Sequence, residues 1–377
     1  MIQKLSLFDF RNYEEKHFKF TEKNVVFYGG NGKGKTNILE AISILSMGKS
    51  WRETNAEDLI YNPGSEKQGT RVGLIQATLE NGNLYEVKIA PRSRVFEKNA
   101  KNVSLRQHFG KIPTLLFVPE HLTLFSGTKR NRQRFFDRFL FQISTNYREN
   151  LTKFNRVLKQ KNALLKSFQD LSSNSKSSNS ELIAPWNEIL ADTIPSLVKA
   201  REGFLAELNP LLQKELKGLS RSSDSIEIRL EKAENVAMTK EAILNFFTKN
   251  SAREQAAGKC LLGPHRDDFA FYYRDKPILA SASRGEERSV MLAMLAAQKH
   301  ILKALGGPSP ILLLDDVFSE LDQSRQDYLE NLCNESQIFF TTTHESHFKN
   351  FSHPVQKIDL SLPNPGSTKN LSGQNPG

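Results

Sequence analysis

The chain has 377 residues, enough to bury a large core and to exceed one compact domain. Lys and Arg outnumber Asp and Glu by 52 to 42, leaving a formal charge of +10 that suits a polyanionic partner. No apolar run approaches the ~20 residues that a membrane span needs, and the 2 cysteines, Cys260 and Cys333, offer neither metal-ligand spacing nor a disulfide framework, which points to reduced thiols in a cytoplasmic protein.

Residues 1–28 read as short strands separated by the polar turn 11–15, so the chain opens on a strand and not on a signal peptide. The last of these strands, Val25-Val26-Phe27-Tyr28, runs into Gly29-Gly30-Asn31-Gly32-Lys33-Gly34-Lys35-Thr36. A helix follows with Ile38, Leu39, Ile42 and Leu45 on one face. Residues 72–80 and 84–90 form a hairpin about Asn81-Gly82-Asn83, and 114–118 is a strand stopped at Pro119. Beyond about residue 130 helical periodicity takes over, carried by Phe139, Leu140, Ile143, Tyr147, Leu151, Phe154 and Leu158 in a basic background. The Ser- and Asn-rich stretch 172–180 reads as a flexible loop. Helix resumes at Glu181, pauses near Pro210 and returns over 239–257, interrupted by a strand at 225–230. From Leu261 an α/β texture returns, with a strand at 269–273, a helix from Glu286 to Leu305, a strand at 311–314, a helix at 324–333 and a strand at 337–341. The polar stretch 361–377 reads as a disordered tail. The expected fold class is therefore α/β. A nucleotide-binding domain made of residues 1–124 and 258–360 is split by a mainly helical lobe, 125–257.

Residues 29–36 fit G-x-x-x-x-G-K-T, a loop whose backbone N–H groups turn inward around phosphate oxygens while a helix N-terminus adds its positive end. In that chemistry Lys35 reaches the β- and γ-phosphates and the Thr36 hydroxyl coordinates Mg²⁺. Gly29, Gly30, Asn31, Gly32, Lys33, Gly34 and Asn37 complete the expected ATP cradle. Asp315 closes a buried strand and is the expected Mg²⁺ partner, and Asp316 can orient an attacking water. Such an Asp-Asp pair could equally cap a turn; the phosphate loop in the same chain favours the metal reading. Ala282-Ser283-Arg284-Gly285-Glu286 opens a long helix. Taken alone it is an ordinary N-cap, but Ser283 and Gly285 could also present a hydroxyl and N–H groups to an anion.

Taken in order, these stretches resemble the RecF family of bacterial recombination mediators, relatives of the SMC and Rad50 ATPase heads. The matching residues are 30–42; Lys49-Ser50-Trp51-Arg52; Phe117-Val118-Pro119-Glu120-His121-Leu122; 155–165; Gly263-Pro264-His265-Arg266-Asp267-Asp268; 283–288; and 312–322. The resemblance implies a P-loop ABC-type ATPase head with a compact second lobe, in which Ser283 and Gly285 of one subunit complete the ATP site of another. It also implies that Glu320-Leu321-Asp322 joins the two sites, that ATP fastens a homodimer and that slow hydrolysis releases it. His344 is the implied γ-phosphate sensor, with Thr342 or Thr343 as alternatives. The family's usual Ser-Gln-Gly-Gln stands here as Ser283-Arg284-Gly285-Glu286, which places an acid beside the implied phosphate.

Two basic clusters, Lys129, Arg130, Arg132, Arg134 and Arg138, then Lys153, Arg156, Lys159, Lys161 and Lys166, suit phosphate contacts with little sequence preference. They would also suit a merely solvated helix face. The resemblance directs them to duplex and gapped DNA near single-strand/double-strand junctions, with the RecR and RecO mediators as partners in the nucleoid. An SMC- or Rad50-like clamp would need a long heptad segment, a transport ATPase a membrane partner, and a related nuclease an added acidic domain.

Overall fold

The computed structural model describes residues 1–52, 55–62, 71–170, 176–219, 224–318, 321–332, 334–344 and 353–361. Contacts gather the chain into two units. One comprises Met1–Pro119 and the chain from Leu302 onward, the other Glu120–Ile301.

The first unit opens with β1 (Ile2–Phe10), β2 (Tyr13–Lys19), β3 (Asn24–Tyr28) and α1 (Lys35–Met47). It continues through β4 (Gly73–Leu79), β5 (Leu84–Ala90), β6 (Ser93–Lys98), β7 (Lys101–Val103), α2 (Leu105–His108) and β8 (Thr114–Phe117). The second unit holds α3 (Lys129–Ile143), α4 (Thr145–Asp170), α5 (Lys176–Leu219), β9 (Ile226–Glu231), α6 (Lys240–Lys249), α7 (Ser251–Ala257), β10 (Asp268–Tyr273), β11 (Lys276–Pro277), α8 (Ile278–Ser281) and most of α9 (Arg284–Ala304). The chain then returns to the first unit with β12 (Ile311–Asp315), α10 (Gln323–Leu332), β13 (Ile338–Thr342) and β14 (Val355–Asp359).

Two sheets build the first unit. A six-stranded sheet runs β2-β1-β4-β5-β6-β7, antiparallel throughout, and a five-stranded parallel sheet runs β14-β3-β13-β12-β8. The central strands β12 and β13 read as near-continuous apolar runs because they are buried on both faces: every residue of both is buried. Helix α1 contacts strands of both sheets, so it is buried almost all round and not on one face alone. That places Glu40 at 0% exposure, where it needs a cation. Arg11, in the turn between β1 and β2, supplies it through two hydrogen bonds of 2.8 and 2.6 Å.

The second unit surrounds a small antiparallel sheet, β11-β10-β9. Because β9 pairs with β10 from Asp268↔Glu231 to Tyr273↔Ile226, residues 268–273 belong to this unit, which therefore extends to Ile301 where the sequence reading ended the lobe at 257. The outer edge of β9 is closed by side chains of α5. Asn209 exchanges bonds with the backbone of Ile228 at 3.0 and 2.9 Å, and Gln213 bonds Asp224 O and Ile226 N at 2.7 and 2.8 Å. Those bonds and the buried Leu205, Leu208, Leu212 and Leu216 explain why α5 runs through Pro210 with no pause, despite the backbone bond a helical proline forfeits. The helix also begins at Lys176, inside the stretch expected to be a loop. Cys333 and residues 362–377 lie outside the described residues.

Charge is buried in this unit in pairs. Lys161 Nζ lies 2.6 Å from Glu254 with both side chains at 2% exposure or less, and 3.7 Å from the centre of the Phe247 ring. Arg201, 1% exposed, is held by Asp137 at 2.7 Å, by Tyr147 and by the Pro264 carbonyl. Removing one member of such a pair strands the other charge. Glu254→Ala is expected to cost about 3–5 kcal/mol by chemical denaturation, whereas Lys161→Met combined with Glu254→Leu should recover most of that loss.

Candidate nucleotide site

The register of the parallel sheet brings the ends of its strands to one edge: Phe27 opposite Thr341, Tyr28 opposite Thr342 and Asp359, and Thr341 opposite Asp315. Sites in parallel α/β sheets form at this edge. The phosphate loop leaves β3 here and turns directly into α1. Gly34 makes the turn at φ 88°, and a Cβ there would lie 2.5 Å from the Asn12 amide and the Tyr13 hydroxyl, so both conformation and space demand glycine. Asn31, Gly32 and Lys33 are exposed, as is Gly30, while Gly29 is buried at φ 138°.

The start of α1 fits an anion. It has no side-chain cap and no acidic residue in its first turn, so no side chain of that turn competes with an anion for its N–H groups and dipole. The buried Lys35 ammonium donates to the Gly29 and Gly30 carbonyls at 2.6 and 2.9 Å, which folds it back over the loop. Burial lowers its pKa, and the nearby Asp316 and Asp315 carboxylates oppose that shift.

The Thr36 hydroxyl donates to Asp315 Oδ1 at 2.9 Å, and Thr341 donates to the same oxygen at 2.6 Å. Thr341 also accepts the Asp316 N–H at 2.9 Å. One buried threonine thus orients both members of the acidic pair. Asp316 sits at φ 49°, a conformation asparagine and aspartate tolerate better than most side chains, and this turns it off the strand axis beyond Asp315. Hard oxygen donors from Thr36 and Asp315 on adjacent elements match what Mg²⁺ takes, since it is usually bound through one or two protein oxygens. Among the described residues no cluster of three or more His, Cys, Asp or Glu forms an all-protein cage.

Asn12, Ser50 and Arg52, which flank the loop, carry no signal of that place in their own chemistry. Asn37 donates to Asn12 at 2.8 Å and accepts from Arg52 at 3.0 Å; Ser50 and Arg52 both reach Glu40. The turn 11–13 and the segment 50–52 therefore form one frame with α1. The resemblance at Lys49-Ser50-Trp51-Arg52 was the available signal, but nothing in that tetrapeptide reveals a buried glutamate as its target.

Other predicted residues divide. Ser283 and Arg284 are exposed at the start of the 21-residue α9, and Gly285 is half-buried. Asp322 accepts the Arg325 N–H at 3.1 Å just ahead of α10 and pairs with the Arg325 side chain; the backbone N–H chiefly lowers its pKa. Its visible work is helix capping. Glu320 lies outside the described residues. His344 is exposed, and its N–H donates to Thr342 at 3.3 Å.

Lys129, Arg130, Arg156 and Lys159 are exposed. Arg132 is half-buried and turned inward: its guanidinium grips Asp268 through two 2.8 Å bonds and the Gly127 carbonyl at 2.7 Å. Arg134 is half-buried, and burial lowers its pKa. Lys161, buried against Glu254, leaves the basic stripe, which on α4 comprises Lys153, Arg156, Lys159 and Lys166.

Parallel sheet, phosphate loop and oriented carboxylate pair define a P-loop ATPase head of the ABC type, and the family described as the RecF/RecN/SMC N terminal domain matches residues 1–360. The DNA replication and repair protein RecF of Streptococcus uberis is 34% identical over 98% of this chain and 99% of its own length. The protein of that name from Carboxydothermus hydrogenoformans is 31% identical over 94% and 97%. Solved structures of the recombination mediator protein RecF in the RecFOR pathway, one described as RecF-ATPrS and one as RecF-ATP, superpose with TM-scores of 0.84 and 0.81 at 25% and 26% identity, each covering 96% of both chains. The chain belongs to the RecF family.

Thr341 supports the Asp315 carboxylate through its hydroxyl. Thr341→Val, which keeps the shape and removes both hydrogen bonds, is expected to reduce Mg²⁺-dependent ATP turnover by about 10–100-fold while nucleotide binding measured without Mg²⁺ changes little. Calorimetric titrations with and without the metal, run beside a turnover assay, check this.

Proposed function

We propose that this chain is an ATP-gated DNA-binding mediator of recombinational gap repair, which dimerises on ATP, binds duplex DNA near single-strand/double-strand junctions and helps load recombinase. The observation that carries the reading is the hydroxyl-carboxylate set Thr36, Asp315 and Thr341 beside an uncapped α1 N-terminus. On this reading Lys35 and the N–H groups of 29–37 hold the phosphates, and Thr36 with Asp315 holds Mg²⁺, which supplies charge neutralisation on the phosphate oxygens. Asp316 orients the attacking water, and slow hydrolysis opens the dimer. Ser283 and Gly285 of a second copy close the site over the terminal phosphate, Asp322 lies in the loop at that junction, and His344 senses the phosphate.

Exposure supports the DNA assignment for Lys129, Arg130, Arg156 and Lys159. Their contacts would be to phosphates, giving salt-sensitive affinity without base reading. RecR and RecO are the proposed protein partners, in the cytoplasm at the nucleoid. No helix among the described residues is long and apolar enough to cross a membrane.

Two measurements test this. Ser283→Arg should bind ATP as the parent does yet remain monomeric in sedimentation with ATP; an ATP-driven dimer of that variant would remove Ser283 from the cross-subunit role. DNA affinity in ATP, followed over a salt series, should fall steeply with salt. Replacing Arg156 and Lys159 with alanine should flatten the log–log slope by about 2. Salt-independent binding, or none in any nucleotide state, would end the DNA reading.

A further inference from the structure

The N-terminus of α9 already carries an anion of its own. Glu286 Oε2 accepts the Ser283 N–H at 2.7 Å, and Ser283 Oγ accepts the Glu286 N–H at 3.3 Å, a reciprocal capping box. The other carboxylate oxygen, Oε1, accepts from Arg274 Nη2 at 2.7 Å and lies 3.2 Å from the Tyr273 hydroxyl. Arg274 and Tyr273 are themselves held by the buried Asp224, through bonds of 2.7 and 2.6 Å. The Ser283 N–H is the main group lowering the pKa of Glu286, followed by the Ser283 hydroxyl, so the side chain stays ionised at neutral pH.

This arrangement has a consequence for any phosphate that Ser283 receives. A phosphate that takes the Ser283 N–H meets a donor that Glu286 already engages, and that N–H has a single proton to donate. A carboxylate left beside the phosphate would also repel it. A cation does stand on the far side of Glu286. Arg274 is half exposed and already bonded to the carboxylate, so Oε2 can release Ser283 while Oε1 stays paired.

We propose that Glu286 is an intramolecular competitor for the terminal phosphate of a nucleotide bound to a second copy of the chain, and that Arg274 holds the displaced carboxylate. The proposal rests on the reading of Ser283 as the cross-subunit contact and adds a threshold to it. Dimerisation requires enough ATP to displace Glu286, and a diphosphate, lacking the terminal group, does not displace it. Glu286 is a positioning residue here, because it touches Ser283 and not the reacting atoms in the assembled dimer.

The test is sedimentation of the full chain across an ATP titration in Mg²⁺. Glu286→Gln retains an oxygen for the Ser283 N–H, so the cap survives while the charge is lost. It should lower the ATP concentration at half-dimerisation by about tenfold and leave the unfolding temperature near that of the parent. Arg274→Gln should shift the midpoint several-fold the other way. An unmoved or raised midpoint in a normally folded Glu286→Gln protein overturns the proposal. So does a lowered midpoint in Arg274→Gln. Should Arg274→Gln unfold through loss of its bond to Asp224, the Glu286→Gln result decides alone. Ser283→Arg, run in parallel, separates the two ideas. If it dimerises like the parent, the cross-subunit reading fails and the competitor falls with it. If it stays monomeric while Glu286→Gln shows the parental midpoint, only the competitor fails.

Discussion

The nucleotide site depends on one carboxylate receiving two hydroxyls. Asp315 ends β12, Thr341 lies opposite it on β13, and Thr36 comes from the first turn of α1. Side chains alternate across a strand, so a slip of one residue between β12 and β13 would turn Thr341 to the other face and withdraw its hydroxyl from both acidic residues. The apolar core fixes that register. Phe339 lies between Phe20 and Phe27, with ring centres at 4.8 and 6.2 Å, and Phe340 meets Phe318 at 5.1 Å. Hydrophobic packing in this sheet therefore acts on the chemistry through alignment.

The second constraint is the burial of α1. A helix that touches strands of both sheets must neutralise whatever charge it carries inward, and Glu40 is met by Arg11, Ser50 and Arg52. The two segments that answer this need, the β1–β2 turn and residues 50–52, also stand beside the phosphate loop. Asn12 and Tyr13 pack where a Cβ on Gly34 would fall, and Asn12 bonds Asn37. The antiparallel sheet thus holds the loop in shape through its turn. The site is preorganised from both sheets, so the lysine and the carboxylates need not be assembled by the ligand.

How much of this was legible in the sequence follows from how local each signal is. The phosphate loop, the hairpin at 81–83 and the strand ending in Asp315 depend on neighbours in the chain, and each lies where the sequence reading put it. The basic residues depend on distant partners. Arg132 and Arg156 look alike as letters on helices, yet one meets Asp268 and the other solvent. Lys161 follows Lys159 in the sequence by one intervening residue and turns inward to Glu254, beyond α6 in the chain. The passage of α5 through Pro210 was likewise set by β9, whose exposed edge gives Asn209 and Gln213 something to bond. Tertiary partners, invisible to periodicity, overruled a correct local rule.

This sorting changes what a charge of +10 means. Arg11, Arg132, Lys161 and Arg201 are all held by internal carboxylates, so the formal surplus does not locate a polyanion surface. What remains exposed on α4 is a line of Lys153, Arg156, Lys159 and Lys166, extending for roughly 20 Å at the rise of an α-helix. A line of that length can follow a nucleic-acid backbone through part of a helical turn but offers nothing that distinguishes bases. If the chain acts at junctions, the choice of site must come from geometry. Two such lines fixed by a nucleotide-closed dimer would select DNA by spacing and bend, and neither line could do so alone. On the proposed function the nucleotide site and the basic stripe are coupled requirements: the first would set when the second becomes selective.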